Sequence, residues 1–429
     1  MTEPAPLPER RPSERRPSLF GRLGPGLITG AADDDPGGVA THSQAGAAFG
    51  LNMLWSVVLA YPLLAAIQSI VARIGRVTGN GLAANVKRVF PGWVLALLVI
   101  SLLVANTINI AADVAAMGEA AALVAPGVSK YVYAALFGGV CLLLEVFMSY
   151  KRYVRVLKWL TLSLLAYVGI VFTVKIPWAE VAWRSFVPEI VLTPAFLTMV
   201  VAVFGTTISP YMFFWQSSQE VEDLGPHPER RSLLHTPELA EGELRRIRWD
   251  TWTGMAMCSL IAFFIVLTTA VTLHANGVTD IKNAAQAAQA LRPIAGDLAF
   301  WLFSLGIIGT GLLAVPVLAG AAAYAIAESF GWPMGLDRKL GQAPGFYAII
   351  AGATLGGVLL NATGIDPIKA LFWSAVLNGL VAVPIMVVAM ILASRKSVMG
   401  PFIIGWGLKV LGWTATAVMT AAGVGMFLA

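Results

Sequence analysis

Three consecutive acids, Asp33, Asp34 and Asp35, run directly into Pro36, Gly37 and Gly38 in the middle of an otherwise apolar stretch. A carboxylate at the centre of a bilayer costs roughly 2.5–3.5 kcal/mol on insertion scales, so three in a row require a cation or water to offset them. Proline removes a backbone donor and clashes with the turn before it, and glycine relaxes the chain, so a helix through this segment must unwind. Unwound carbonyls are tolerated at membrane depth only where protein or water covers them, and they are hard oxygen ligands. Acid beside freed carbonyl is the chemistry of a divalent-cation site. Neighbours in sequence cannot all point one way. Asp35 is the expected ligand, and Asp33 and Asp34 either join it or cap helix ends and face water.

A second interruption follows later in the chain, Gly205-Thr206-Thr207-Ile208-Ser209-Pro210-Tyr211, with glycine and proline again but hydroxyls in place of acids. An amphipathic segment, Gln216-Ser217-Ser218-Gln219-Glu220, comes directly after it. Two broken helices at corresponding positions of two halves are the sequence pointer to an inverted-repeat transporter with its site near the midplane.

The elements that must position these segments are membrane helices. The 429 residues are 57% hydrophobic and 12% charged, with a mean hydropathy of +0.75, well outside the usual composition of soluble domains. Apolar stretches of about 20 residues, the length that crosses a bilayer, fall near 20–49 (interrupted), 51–72, 93–122, 131–149, 156–174, 194–222 (interrupted), 249–273, 296–328, 345–362, 367–394 and 401–428. Eleven spans with a cytoplasmic N-terminus and an external C-terminus put 22 of the 29 basic residues on the cytoplasmic side, as the positive-inside rule requires. The same sorting accounts for the net charge of +5 without nucleic acid. The expected architecture is an all-α integral membrane protein of one transporter domain over 20–429. Repeat one covers about 20–175, repeat two about 194–394, and an extra span about 401–428. Residues 1–19, with Arg10, Arg11, Arg15 and Arg16, read as a disordered basic cytoplasmic tail. Cys141 and Cys258 lie in apolar stretches and read as core residues, not as a disulfide or thiolate site.

Gly24-Pro25-Gly26-Leu27-Ile28, Asp35-Pro36-Gly37-Gly38, Ala40-Thr41, Gln44-Ala45-Gly46 and Phe49-Gly50 together resemble the first span of the Nramp family of divalent metal transporters, whose hallmark is Asp-Pro-Gly-Asn. The resemblance implies a LeuT-like fold, a 5+5 inverted repeat with broken first and sixth spans plus one C-terminal span, working by alternating access. It also implies a metal site built from the Asp and Asn of the first break, a carbonyl shortly before that Asp, and an Ala carbonyl and Met sulfur in the sixth span. Carried over, the Asp is Asp35, the preceding carbonyl is that of Ala32, Gly38 stands in place of Asn, and the Ala carbonyl becomes that of Thr206. The family's Met-Pro-His becomes Ser209-Pro210-Tyr211. Loss of the thioether removes the soft ligand that favours transition metals and leaves an all-oxygen environment. Magnesium keeps several waters and is held through one or two carboxylates. The chain therefore resembles the Nramp-related branch that carries magnesium as well as manganese, with Mg²⁺ favoured and Mn²⁺ accepted. Asp33, Asp34, Thr207, Tyr211, Asn378, Asp113 and His42 are expected behind the ligands or along the ion's path.

Tyr211 in place of the family's His is a poor proton carrier at neutral pH. The third span keeps Asp113 but has Asn106 and Ala116 where acids are expected, so proton coupling should be weak or absent. Asp113 is then a relay or a structural hydrogen-bonding residue. His42 reads as a pore-lining or packing residue, Glu145 as the partner of basic residues at the interface, and Glu220, Glu222 and Asp223 as an acidic exit for cations or a solvated helix end. Ser374 and Asn378 lie one turn apart in the tenth span and are expected to face the site.

The expected activity is that of a secondary transporter or facilitator of the cell membrane, with a divalent metal ion as cargo, the lipid bilayer as surroundings, no cofactor and no implied oligomeric state. A conventional proton-coupled Mn²⁺/Fe²⁺ transporter is the alternative within the family. Outside it stand a metal sensor and an organic-solute carrier of the same fold, the latter disfavoured because the acids would repel a carboxylate. Four scattered histidines supply no interfacial metal triad, so an enzyme is not expected.

Overall fold

The computed structural model describes residues 25–147, 168–169, 171, 175–225, 228, 231–281, 284–361 and 367–428. The expected tail over 1–19 and all but three residues of the expected fifth span over 156–174 lie outside the described residues.

Every other expected span is a helix. The first is α1 (Pro25–Asp33) and α2 (Pro36–Phe49), parted at Asp34 and Asp35. The second to fourth are α3 (Leu54–Thr78), α5 (Gly92–Val124) and α6 (Lys130–Phe147), with a short α4 (Leu82–Val89) between α3 and α5. After a short α7 (Trp178–Phe186), the sixth span is α8 (Pro194–Thr207) and α9 (Pro210–Glu222). The seventh to eleventh are α10 (Ala240–Thr272), α11 (Ala284–Phe330), α12 (Pro344–Asn361), α13 (Pro367–Ser394) and α14 (Trp406–Leu428). Leu97, Ile100 and Val104 of α5 and Trp406 and Trp413 of α14 face outward, an apolar rim of a kind suited to lipid.

Both breaks form as the sequence requires. Pro36 and Pro210 each open the following half-helix, where the missing N–H would have had no partner in any case. Two features depart from the hydropathy reading. Helix α10 begins at Ala240 and not near 249, and α11 at Ala284 and not near 296. Helical hydrogen bonding continues past the apolar stretch, and in α10 Glu241 and Glu243 sit in the first turn, where negative charge suits the helix dipole. Helices α4 and α7, too short to span, escape a search for 20-residue apolar runs.

Glycine contacts bring the broken spans against their neighbours. A β-carbon on Gly30 of α1 would lie 2.4 Å from the carbonyl oxygen of Gly254 in α10, and one on Gly75 of α3 would lie 2.3 Å from the carbonyl of Ser217 in α9. First against seventh and second against sixth are equivalent pairs when spans one and two repeat as six and seven. Close backbone approach through small residues is the usual packing device in membranes.

Candidate metal site

Asp35 caps α2 with its own side chain: the Gly38 N–H donates to Oδ1 at 2.5 Å, and the Asp35 backbone is extended (φ −69°, ψ 168°). Its carboxylate is thereby fixed at the break, and the residue is 3% exposed. Asp33 and Asp34 are buried beside it. A β-carbon placed on Gly38 would lie 3.2 Å from the carbonyl oxygen of Asp33, 3.3 Å from Oδ1 of Asp35 and 3.5 Å from the Thr206 hydroxyl. Three oxygens from both breaks therefore surround the position where the family places an Asn side chain.

The remaining residues tie the two breaks together. The Tyr211 hydroxyl donates to the Ala32 carbonyl at 3.1 Å. His42 Nδ1 lies 2.7 Å from the Gly38 carbonyl, which fixes that nitrogen as a donor, and its Nε2 lies 3.4 Å from the Thr207 hydroxyl. The Gly37 N–H donates to Oδ1 of Asp113 at 3.2 Å, so Asp113 holds the unwound segment from the third span. Ser209 Oγ turns back to the carbonyls of Gly205 and Thr206, 2.8 Å from each, and makes no capping bond to α9. One turn further along, the Thr29 hydroxyl lies 2.5 Å from Oε1 of Gln216, joining α1 to α9.

In the tenth span Leu371 lies near Gly37, and the Ala375 carbonyl packs against Gly205. Ser374 Oγ bonds the Leu371 carbonyl in its own helix, and Asn378 is buried with its Oδ1 unpartnered among the described residues. Glu145 is buried, with both carboxylate oxygens free of hydrogen bonds among the described residues; the basic residues that follow it at 151–158, its expected partners, lie outside them. Of the three acids expected to form a cation exit or a solvated end, only Asp223 is exposed, while Glu220 and Glu222 are held by other side chains. Glu220, fully buried, pairs with Arg246 at 2.5 Å, and Glu243 bridges Arg246 and Arg76 at 3.1 and 3.0 Å. Glu222 accepts from Tyr324 at 2.5 Å.

Two features escaped the sequence reading. The carbonyl facing Gly38 belongs to Asp33, because which carbonyl turns inward depends on backbone angles at the break. Cys258 Sγ lies 3.2 Å from Oδ2 of Asp33, a contact between residues 225 positions apart that no local pattern signals.

Over residues 26–429 the chain matches the family described as natural resistance-associated macrophage protein-like, Nramp. The chain belongs to the Nramp family. It is 26% identical over 407 residues to the divalent metal cation transporter MntH of Klebsiella pneumoniae (strain 342), covering 93% of this chain and 92% of that one. The MntH of Deinococcus radiodurans is also 26% identical, over 408 residues, 93% of this chain and 87% of that one. Among solved structures, the Eremococcus coleocola manganese transporter superposes with a TM-score of 0.78 at 16% identity, covering 97% of this chain and 87% of that chain. Mhp1, a nucleobase-cation-symport-1 family transporter, superposes with a TM-score of 0.58 at 15% identity over 95% of this chain and 91% of that one. The fold of this Nramp chain is the LeuT-like one, with broken first and sixth spans.

Proposed function

We propose that the chain is a transporter of divalent metal cations that binds its cargo between the two helix breaks, favours Mg²⁺, accepts Mn²⁺ and moves them with little or no coupled proton. The observation that carries this reading is the set of oxygens around Gly38, contributed by the Asp33 carbonyl, the Asp35 carboxylate and the Thr206 hydroxyl. The carbonyls of Ala32 and Thr206 and the hydroxyl of Ser209 lie in the same two breaks. These are hard ligands around one fixed carboxylate, suited to an ion that retains part of its water. Membership of the Nramp family and the likeness to the divalent metal cation transporters MntH support divalent metal as the cargo class. Weak coupling is supported by Tyr211 hydrogen-bonding a carbonyl where the family has His, and by Asp113 being engaged with Gly37. Alternating access would rock the bundle about these breaks, with the N-terminus cytoplasmic and the C-terminus outside.

A second reading, a proton-coupled manganese transporter, is favoured by the likeness to the MntH proteins and the Eremococcus coleocola fold. Uptake into proteoliposomes separates the two. With an internal pH dye and Mg²⁺, Mn²⁺ and Ca²⁺ compared for the wild type and Asp35→Ala, the first reading expects saturable Mg²⁺ and Mn²⁺ flux, lost in Asp35→Ala, without acidification. Flux confined to Mn²⁺ with proton entry supports the second. Absence of flux for all three ions rejects both and favours a sensor or an organic-solute carrier.

A further inference from the structure

A cavity of about 620 Å³ lies between α3, the start of α10 and the start of α14, and it shares no residue with the candidate metal site. Three arginines line it, Arg73 from α3 and Arg245 and Arg248 from α10, beside an apolar wall of Leu244, Trp252 and Leu411. The lining holds one acid, Glu241, which pairs with Arg245 at 2.6 Å on the exposed rim. Positive charge is therefore in excess. Arg73 Nε is buried with no hydrogen-bond partner among the described residues; a buried donor with nothing to donate to is costly, and an anion satisfies it. The first turn of α14 also opens on the cavity through Gly405 and Gly407, which put no side chain in the way. The N–H of Lys409 donates to the Gly405 carbonyl at 3.0 Å, so the helix begins here, and the positive end of its dipole favours an anion.

We infer that this cavity is a binding site for an anionic phospholipid, whose phosphate sits against Arg73 and Arg248 and whose acyl chains lie on Leu244, Trp252 and Leu411. Guanidinium groups match phosphate oxygens in charge and in fork geometry, and basic pockets between membrane helices are suited to anionic head groups. Two observations favour a lipid over a soluble phosphate. Trp249 and Trp406, 67% and 81% exposed, adjoin Arg248 and Gly405, and exposed tryptophans mark the level of the head groups. Past the Tyr61–Trp252 ring pair, a second groove of about 450 Å³ lies between α3 and α10, with Val57, Leu260 and Phe263 in its lining. From Arg248 to Leu260 the helix rises roughly 18 Å at about 1.5 Å per residue, close to half of a hydrocarbon core roughly 30 Å thick. One leaflet's acyl chain fits that run. Gly254, against which Gly30 of the broken first span packs, lies between these two levels of α10, so a lipid joining α3, α10 and α14 braces the helix on which α1 rests. The site stands on its own contacts and does not depend on which ion Asp35 carries.

The test is a titration of the purified full chain, delipidated in neutral detergent, with dioleoyl phosphatidylglycerol, read by native mass spectrometry as the fraction of chains that hold one lipid. The wild type is expected to hold phosphatidylglycerol about tenfold more tightly than zwitterionic dioleoyl phosphatidylcholine. Arg73→Gln and Arg248→Gln are each expected to weaken that binding by about fivefold, the weight of one arginine beside an anionic head group. Lys87→Gln, in α4 and outside the cavity, is expected to leave it unchanged, and an excess of glycerol phosphate to leave the lipid in place. Each variant is compared as a monodisperse sample, and Arg248 is exposed, so its variant reports even where Arg73→Gln fails to fold. Equal retention of the two lipids, or wild-type affinity in both arginine variants, overturns the assignment. An equal loss in Lys87→Gln also overturns it, by reducing the effect to diffuse surface charge, and displacement by glycerol phosphate gives the cavity to a soluble phosphate instead. Failure of Mg²⁺ flux in the proteoliposome assay would reject the cargo reading and leave this titration untouched.

Discussion

The hydroxyl of Tyr211 donates to the carbonyl of Ala32 across 3.1 Å, so the second half of the sixth span is fastened to the end of the first span's first half. A hydrogen bond of this kind contributes about 0.5–1.5 kcal/mol net. In Tyr211→Phe the ring packing stays and the bond is lost. The expected result is a destabilisation of that size in a detergent melt, with Mg²⁺ flux retained. Abolished flux at unchanged stability would mean that the hydroxyl acts on the ion and does not merely join the breaks.

Asp113 accepts from the Gly37 N–H with Oδ1, and asparagine preserves that acceptor. Asp113→Asn should therefore transport much as the wild type does. Asp113→Ala should lose about 1–3 kcal/mol by orphaning a buried donor. If Asp113 were a proton relay instead, both variants would stop flux alike, which the proteoliposome assay reads directly.

Arg246 is the partner of the fully buried Glu220. Removing one member of a buried pair costs about 3–5 kcal/mol because it strands the other charge; with Arg246 28% exposed, the lower end is expected for Arg246→Ala. Adding Glu220→Gln should recover a good part of that loss. Equal stability of the single and double variants, measured by thermal unfolding, would contradict the pairing.

By the resemblance in sequence, Ser209 stands where the family has Met, before Pro210. Ser209→Met is expected to raise the Mn²⁺ to Mg²⁺ ratio of transport efficiencies by about tenfold, equivalent to roughly 1.4 kcal/mol, because sulfur is the softer ligand. Competition uptake with both ions present measures it. A ratio that does not move would place the cargo away from the sixth-span break.

The spans and both breaks were legible in the sequence because bilayer thickness fixes helix length and because proline and glycine interrupt helices by local sterics. Asp35 was legible for the same local reason, as an acid directly before a helix-opening proline. Contacts between distant spans were not. Nothing near Glu220 in sequence announces Arg246, and nothing near Cys258 announces Asp33.

The carboxylate proposed as the ligand at the first break is also the cap that starts α2, through the bond from the Gly38 N–H. Any cation that draws on Oδ1 of Asp35 competes with that amide for the same electron density. Loading and unloading an ion would thus change how firmly the first turn of α2 is anchored, which makes the stiffness of this half-helix a function of occupancy. A carrier assembled in this way needs no separate sensor to report whether it is full.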